Sequence, residues 1–349
     1  MSQYRIIYLD VLRVISCSMV VLMHSPHPES GVPGYIQVPL YFLTAAGLVM
    51  FFMLSGATLL NKEMAVGPFL KRRLGKVAGP WLVWTLFYMA VDANWQNLSL
   101  AEIDRLFVSV STPGSHVMWF MFALSGLYLI TPVLVPFLKM ATKQEVEFYL
   151  LLWVLALAIP WLEPFTGLRM GVSSPLYYVS GYVGYFLLGY YLHNYRPNIW
   201  RLFPLFIAIP LVVKFGYYLY GGERSDELFW YLSIPVMLMS VGWFTLIYKL
   251  FDEDVDGKVS RRITKVTSGG GILWLQRVSD CCFGIYLMHI FVMRRVLWNI
   301  DFLTYGLGWV GQLMTSWLIT LIISFVLTWL ISYLPYSEYI IGFTNRKKK

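Results

Sequence analysis

Tyr8-Leu9-Asp10-Val11-Leu12-Arg13-Val14-Ile15-Ser16-Cys17-Ser18-Met19-Val20-Val21-Leu22-Met23-His24 is the stretch that decides how the rest of this chain is read. Val14 to Met23 is almost all apolar, while Asp10, Arg13 and His24 stand at its two ends. A helix turns 100° per residue, so eleven residues make about three turns and return within about 20° of the starting direction. Arg13 and His24 therefore share a face, about 16 Å apart along the axis. Asp10, three residues before Arg13, falls on the same face and is placed to hold the guanidinium. Ionisable groups inside a membrane helix are costly and usually face the bundle interior or a watered cavity. One such residue can be a structural tie. Three in line, one of them able to titrate near neutral pH, point to a site.

The composition extends that reading to the whole chain. Of 349 residues, 58% are hydrophobic and only 13% charged, where soluble domains carry about 25%. Aromatic residues make up 17%, including 14 Trp and 24 Tyr, as expected where rings anchor helices at lipid headgroups. The chain reads as an all-α polytopic membrane protein. The one long polar interval, Asp252 to Gly271, is too short to be a domain, so residues 1–349 read as a single transmembrane body. A net charge of +8 does not indicate nucleic acid, because the basic residues flank hydrophobic spans, where they set topology and meet anionic lipid. Cys17, Cys281 and Cys282 have neither a disulfide framework nor metal-site spacing. Pro26, His27 and Pro28 follow the first span without a small-residue cleavage site, which reads as an uncleaved helix and not a signal peptide.

A span needs about 20 mostly apolar residues. Ten stretches qualify: Ile6–His24, Val38–Leu60, Val77–Val91, Val117–Leu138, Phe148–Leu162, Leu176–His193, Leu202–Tyr220, Leu228–Leu250, Cys281–Asn299 and Trp309–Leu334, the third and fifth being short. Turn chemistry marks the breaks at Pro26–Pro33, Thr112–Gly114, Arg196–Asn198 and Gly221–Gly222. Pro132, Pro210 and Pro235 are expected to kink their helices. With the N-terminus inside, the inner segments hold twenty Lys and Arg and the outer loops five, so both termini are expected in the cytoplasm. Arg13 then lies towards the cytosol and His24 near the outer boundary. An acyl-CoA donor fits such a face, with phosphates at one end and a thioester at the tip of a long thin arm.

The residues that could carry chemistry follow from this. A neutral imidazole can take a proton from an attacking hydroxyl, which makes His24 the candidate general base; a helix-end His facing water is the plain alternative. Lys71-Arg72-Arg73-Leu74-Gly75-Lys76 precedes the third span, with Arg73 and Lys76 neighbours on a helix. Guanidinium groups suit bidentate phosphate binding, although a positive flank of this kind is also ordinary topology signalling. His289 lies mid-span with Tyr286 one turn before it, either as a cavity group or as a structural hydrogen bonder. Trp119 reads alone as an interface anchor, and Ser55-Gly56 as a close helix contact. There is no HExxH, paired CxxC, GxSxG or P-loop, so metallohydrolase, serine-hydrolase and nucleotide-hydrolase readings have no support.

Taken together these residues resemble acyltransferase family 3 of integral membrane proteins. Leu9-Asp10-Val11-Leu12-Arg13 through His24 looks like its Arg-x10-His element, and Phe51 to Gly56 like its second-helix ending. Arg73-Leu74-Gly75-Lys76 followed by Pro80-Trp81 resembles its Arg-x-x-Arg element, with Lys in place of the second Arg. That exchange keeps the charge and loses the planar fork. Trp119-Phe120 with Tyr128 and Thr131-Pro132, and Phe283 to His289, resemble two further signatures, all in the family's order. The resemblance implies O-acyl transfer from a cytosolic acyl-CoA, commonly acetyl-CoA, to a hydroxyl of an envelope polysaccharide or glycolipid, in the bacterial inner membrane. His24 would be the base, with Asp10 and Arg13 organising the helix or the donor. Arg72, Arg73 and Lys76 would meet the donor's phosphates, and His289, Trp119 and Tyr286 would line the substrate cavity. The expected partners are acyl-CoA, a carbohydrate or glycolipid acceptor and membrane lipid, with no nucleic acid, no metal and no permanently bound cofactor; homo-oligomerisation stays open. The rival from another class is a transporter or flippase for a lipid-linked glycan or anion, using the same polar face as a pathway.

Overall fold

A computed structural model describes residues 5–29, 31–63, 65–97, 99–111, 117–167, 174–220, 228–251 and 270–345. It is 83% helical, and no strand occurs among the described residues. The helices are α1 (Ile7–His24), α2 (Gly34–Leu59), α3 (Val66–Asp92), α4 (Leu100–Ser111), α5 (Trp119–Met140), α6 (Lys143–Thr166), α7 (Val183–Tyr195), α8 (Phe203–Leu219), α9 (Ile234–Phe251), α10 (Gly270–Phe291), α11 (Gly308–Ile331) and α12 (Glu338–Ile341). Helix is the required answer for such sequences, since lipid offers no partner to a backbone N–H or C=O. The expected turns at Thr112–Gly114 and Gly221–Gly222 and most of the polar interval 252–271 lie outside the described residues.

Among the described residues nine helices are long and apolar enough to cross a membrane. Of the ten stretches read as spans, Leu176–His193 is not among these nine. That stretch holds a short 3-10 turn, Tyr177–Val179, and then the 13-residue α7. Gly181 separates the two at φ +96°, a conformation that ends regular structure. Thirteen residues rise about 20 Å, less than a hydrocarbon core of about 30 Å. The third and fifth spans are longer than their apolar windows, at 27 and 24 residues. Pro235 does not kink a helix; it lies in the first turn of α9, which begins at Ile234.

Local signals explain several ends. The side chain of Thr142 accepts from the Glu145 backbone N–H at 3.3 Å, and the Glu145 carboxylate accepts from the Thr142 N–H at 2.6 Å. This reciprocal pair starts α6. Gly167, at φ +67°, ends the same helix with its N–H on the Glu163 carbonyl.

The chain forms two compact units. The first holds residues 1–23, 32–62 and 133–279. Its tightest packing is between α2 and α7, where Gly56 and Gly189 let two backbones touch. A Cβ on Gly56 would stand 1.8 Å from the Phe186 carbonyl oxygen, and one on Gly189 would stand 1.9 Å from that of Met53. The close contact expected at Ser55-Gly56 is therefore present. Trp153 packs over Gly184 of α7 and donates its indole N–H to the Gly181 carbonyl at 2.9 Å.

The second unit holds residues 24–31, 63–132 and 280–349. Here α12 lies on α3, with the Trp84 indole N–H donating to the Ile340 carbonyl at 2.8 Å. Between α10 and α11 the chain makes two π-helical turns, Val292–Val296 and Phe302–Gly306, separated by the 3-10 turn Leu297–Asn299. Polar residues recur every fourth position on α11 and just beyond it: Gln312, Ser316, Thr320, Ser324, Thr328 and Ser332, all buried. Val310, Met314, Leu318, Ile322, Val326 and Leu330 are exposed on the other side, as a lipid-facing stripe should be. The hydroxyls of Thr320 and Ser324 are buried with no hydrogen-bond partner among the described residues.

Candidate active site

Asp10 is the centre of the polar cluster in the first unit. Its carboxylate is buried, and a buried charge is tolerated only when paired and hydrogen-bonded. Both conditions are met. Oδ2 accepts from Arg5 Nε at 2.7 Å, and Oδ1 from Arg5 Nη2 at 3.0 Å, Arg13 Nη1 at 3.1 Å and Ser279 Oγ at 2.6 Å. Ser279 also accepts from Arg13 Nη1 at 2.8 Å, and Arg5 donates to the Gln276 carbonyl at 3.0 Å. The expected Asp10–Arg13 pair is thus in place one helical turn apart. Two guanidinium groups share one carboxylate, and each keeps about a third of its side chain exposed.

Two members of this cluster escape a reading of the sequence. Arg5 precedes the helix, outside its periodicity, and counts only as an inner flank. Ser279 belongs to α10 and has no local mark at all. Beside them the Tyr8 hydroxyl is hydrogen-bonded to His193 Nδ1 on α7, a pairing the sequence also conceals.

The second unit brings His24 and His289 together. Their ring centroids are 5.4 Å apart and the planes tilt by 41°. His24 is half-buried and His289 fully buried. His289 Nδ1 lies 2.6 Å from the Tyr286 carbonyl oxygen. A carbonyl only accepts, so Nδ1 carries the proton, and in the neutral ring Nε2 is left as the basic nitrogen. The 286–289 turn is itself fixed. The Tyr286 hydroxyl donates to the Val117 carbonyl, and that of Tyr88 donates to the Leu287 carbonyl at 2.8 Å. Phe120 packs on Tyr286 at 5.3 Å and on buried Trp119 at 6.4 Å. Tyr286, 5.8 Å from the His289 ring, therefore belongs to the packing around His289, and Trp119 stands behind Phe120.

Gln312 of α11 holds the segment that follows His24. It is fully buried, donates to the Ser25 carbonyl at 3.0 Å and accepts from the His27 N–H at 3.3 Å. No periodic signal in the sequence relates Gln312 to His24. The basic residues expected at a donor's phosphates are on α3: Arg72 and Lys76 are exposed and Arg73 is half-buried. Arg73 and Lys76 are three apart on one continuous helix, hence neighbours. Among the described residues no three His, Cys, Asp or Glu side chains converge as a metal ion would require.

No curated protein and no solved structure matches the chain. The acyltransferase domain family matches residues 6–336, nearly the whole chain, and takes in both polar clusters except Arg5. This multi-pass membrane protein belongs to acyltransferase family 3, and is an acyltransferase.

Proposed function

We propose that the protein is an O-acyltransferase moving an acyl group, acetyl in the first instance, from cytosolic acyl-CoA to a hydroxyl of an envelope polysaccharide or glycolipid in a bacterial inner membrane. The observation that carries this reading is the imidazole pair His24–His289, held in one unit of an acyltransferase. In the reaction His24 removes the proton from the acceptor hydroxyl as its oxygen attacks the thioester carbonyl. A C–O bond forms, the C–S bond breaks, and the departing thiolate takes the proton from the imidazolium. The products are a sugar ester and free CoA-SH. Arg72, Arg73 and Lys76 bind the donor's phosphates, and Asp10 with Arg13 orients the first helix or the donor. Tyr286 holds the His289 ring, and Trp119 lines the substrate cavity beside it.

Donor binding is tested by thermal shift with acetyl-CoA, wild type beside Arg73→Ala. A ligand that binds only the folded state stabilises it by about 2.7 kcal/mol at a hundredfold excess over Kd. Stabilisation of the wild type that weakens in Arg73→Ala supports the assignment. Folded wild-type protein that shows no shift at millimolar donor, and releases no CoA-SH with native membranes present, overturns the acetyl-CoA assignment in favour of another acyl-CoA or of a transporter. In the same assay His24→Ala should lower transfer by about 10²–10⁴-fold at normal expression; full activity removes the base assignment.

A further inference from the structure

The 3-10 turn after α10 and the second π-helical turn carry a further set of side chains against the segment that follows His24. The ring of Trp298 lies 4.6 Å from that of His27, edge-on at 80°. His27 in turn lies 5.9 Å from Tyr305, again at 80°. The Tyr305 hydroxyl donates to Glu29 Oε2 at 2.9 Å, and the Glu29 N–H donates to His27 Nδ1 at 3.1 Å. The cluster rests on buried polar groups. Ser316 accepts from the Trp298 indole N–H at 3.1 Å and from Gln312 Nε2 at 2.8 Å. Buried Thr304 donates to the Trp298 carbonyl at 3.1 Å. Above this base Tyr305 is 54% exposed and Glu29 is exposed.

We propose that His27, Glu29, Trp298 and Tyr305 form the subsite that binds a sugar ring of the acceptor, a reading that rests on the carbohydrate acceptor proposed above. The chemistry suits a neutral polyol. An exposed ring beside half-buried ones offers an apolar surface to pyranose C–H groups. The Glu29 carboxylate has lone pairs beyond the one Tyr305 uses, and accepts strongly from hydroxyls. The hydrogen bond to Glu29, with Asp301 also near, raises the Tyr305 phenol above its ordinary range, so it stays a donor at neutral pH. The Arg294 guanidinium lies over the Trp298 ring at 5.8 Å, and the Glu29 and Asp301 carboxylates near the phenol outnumber it, which disfavours a phosphate headgroup, while a hydrogen-bonded polar rim disfavours an acyl chain. π-Helical turns are rare and concentrate at functional sites. Here the second of them presents Tyr305, and the 3-10 turn between the two presents Trp298, to the segment whose third residue back from His27 is the proposed base.

The test uses the full-length protein and its Glu29→Gln and Tyr305→Phe variants. Radiolabelled acetyl-CoA is supplied with native membranes as the source of acceptor, and with octyl β-glucoside as a defined sugar probe. Alkali-labile label in the carbohydrate fraction is read against acceptor concentration, and donor binding is read separately by thermal shift. The expected result is an apparent acceptor KM raised about tenfold in each variant, the ratio that loss of roughly one charge-assisted hydrogen bond gives, with the donor's shift unchanged. Wild-type transfer with unaltered acceptor KM in both variants overturns the subsite and leaves the acyltransferase reading standing. A loss of kcat alone also overturns it, since that marks a structural role. Wild-type protein that transfers no label to carbohydrate overturns the acceptor assignment itself, and the subsite with it.

Discussion

Ser279 Oγ donates to Asp10 Oδ1 across 2.6 Å although 269 residues separate the two in sequence. One hydroxyl from α10 thereby closes the set of acceptor sites on a carboxylate that two arginines already occupy. Hydrogen bonds to charged groups contribute about 1.5–3 kcal/mol, and neutral ones about 1. Asp10→Asn, which removes the charge, should therefore destabilise by about 2 kcal/mol. The part-exposed arginines keep the cost below that of breaking a fully buried pair. Ser279→Ala should cost less, about 1 kcal/mol. Thermal unfolding in detergent gives the order, and a larger effect at Ser279 would contradict it.

The backbone contact between α2 and α7 admits no side chain at Gly56. An added methyl would stand 1.8 Å from a carbonyl oxygen that cannot yield without moving α7. Gly56→Ala should cost several kcal/mol and much of the folded yield. Gly126→Ala is the control, because nothing lies within 4 Å of a Cβ there. It should be neutral or slightly stabilising, by up to about 1 kcal/mol. Fluorescence-detected size exclusion after heating separates the two outcomes.

Thr320 and Ser324 are buried with unpartnered hydroxyls among the described residues. A buried polar atom without a partner costs about 1–3 kcal/mol, and an apolar group of the same shape does not. Thr320→Val and Ser324→Ala should each leave stability unchanged or raise it by about 1 kcal/mol. A clear fall in melting temperature for either would show that the hydroxyl serves a partner.

His289 offers two substitutions that separate its nitrogens. The Asn amide N–H2 lies near the place of Nδ1, so His289→Asn keeps a donor to the Tyr286 carbonyl and loses Nε2. His289→Gln keeps a polar atom near Nε2 and loses that donor. The Asn variant should stay within about 1 kcal/mol of wild type in stability while transfer falls about 10- to 100-fold. The Gln variant should lose stability as well. Full transfer activity in His289→Asn would reduce the residue to a structural tie.

The fold was largely legible because lipid imposes one backbone answer on every long apolar run. The Asp10–Arg13 pair was legible for a related reason: helical geometry alone puts residues three apart side by side. Leu176–His193 was misread because apolarity was weighed over the whole window, while Gly181 and the turn before it divide the stretch. The meeting of His24 with His289, and of Asp10 and Arg13 with Ser279, depends on how distant helices pack. No periodicity encodes that. Arg5 was hidden for another reason, since a basic residue at a membrane boundary already has an ordinary explanation.

The buried and exposed stripes of α11 have the same repeat, four residues, and this makes its axial position degenerate. A slide of four residues, about 6 Å, would set hydroxyl in place of hydroxyl inside and aliphatic in place of aliphatic outside. The middle of the helix cannot tell the two registers apart. The setting is held at the extremities, where Gln312 grips Ser25 and His27, the methyl of Thr328 meets Gly284, and Asn345 bonds to Ser332. α11 is therefore a rod with a detent at each end, and the detent at Gln312 is the one that bears on the position of His24.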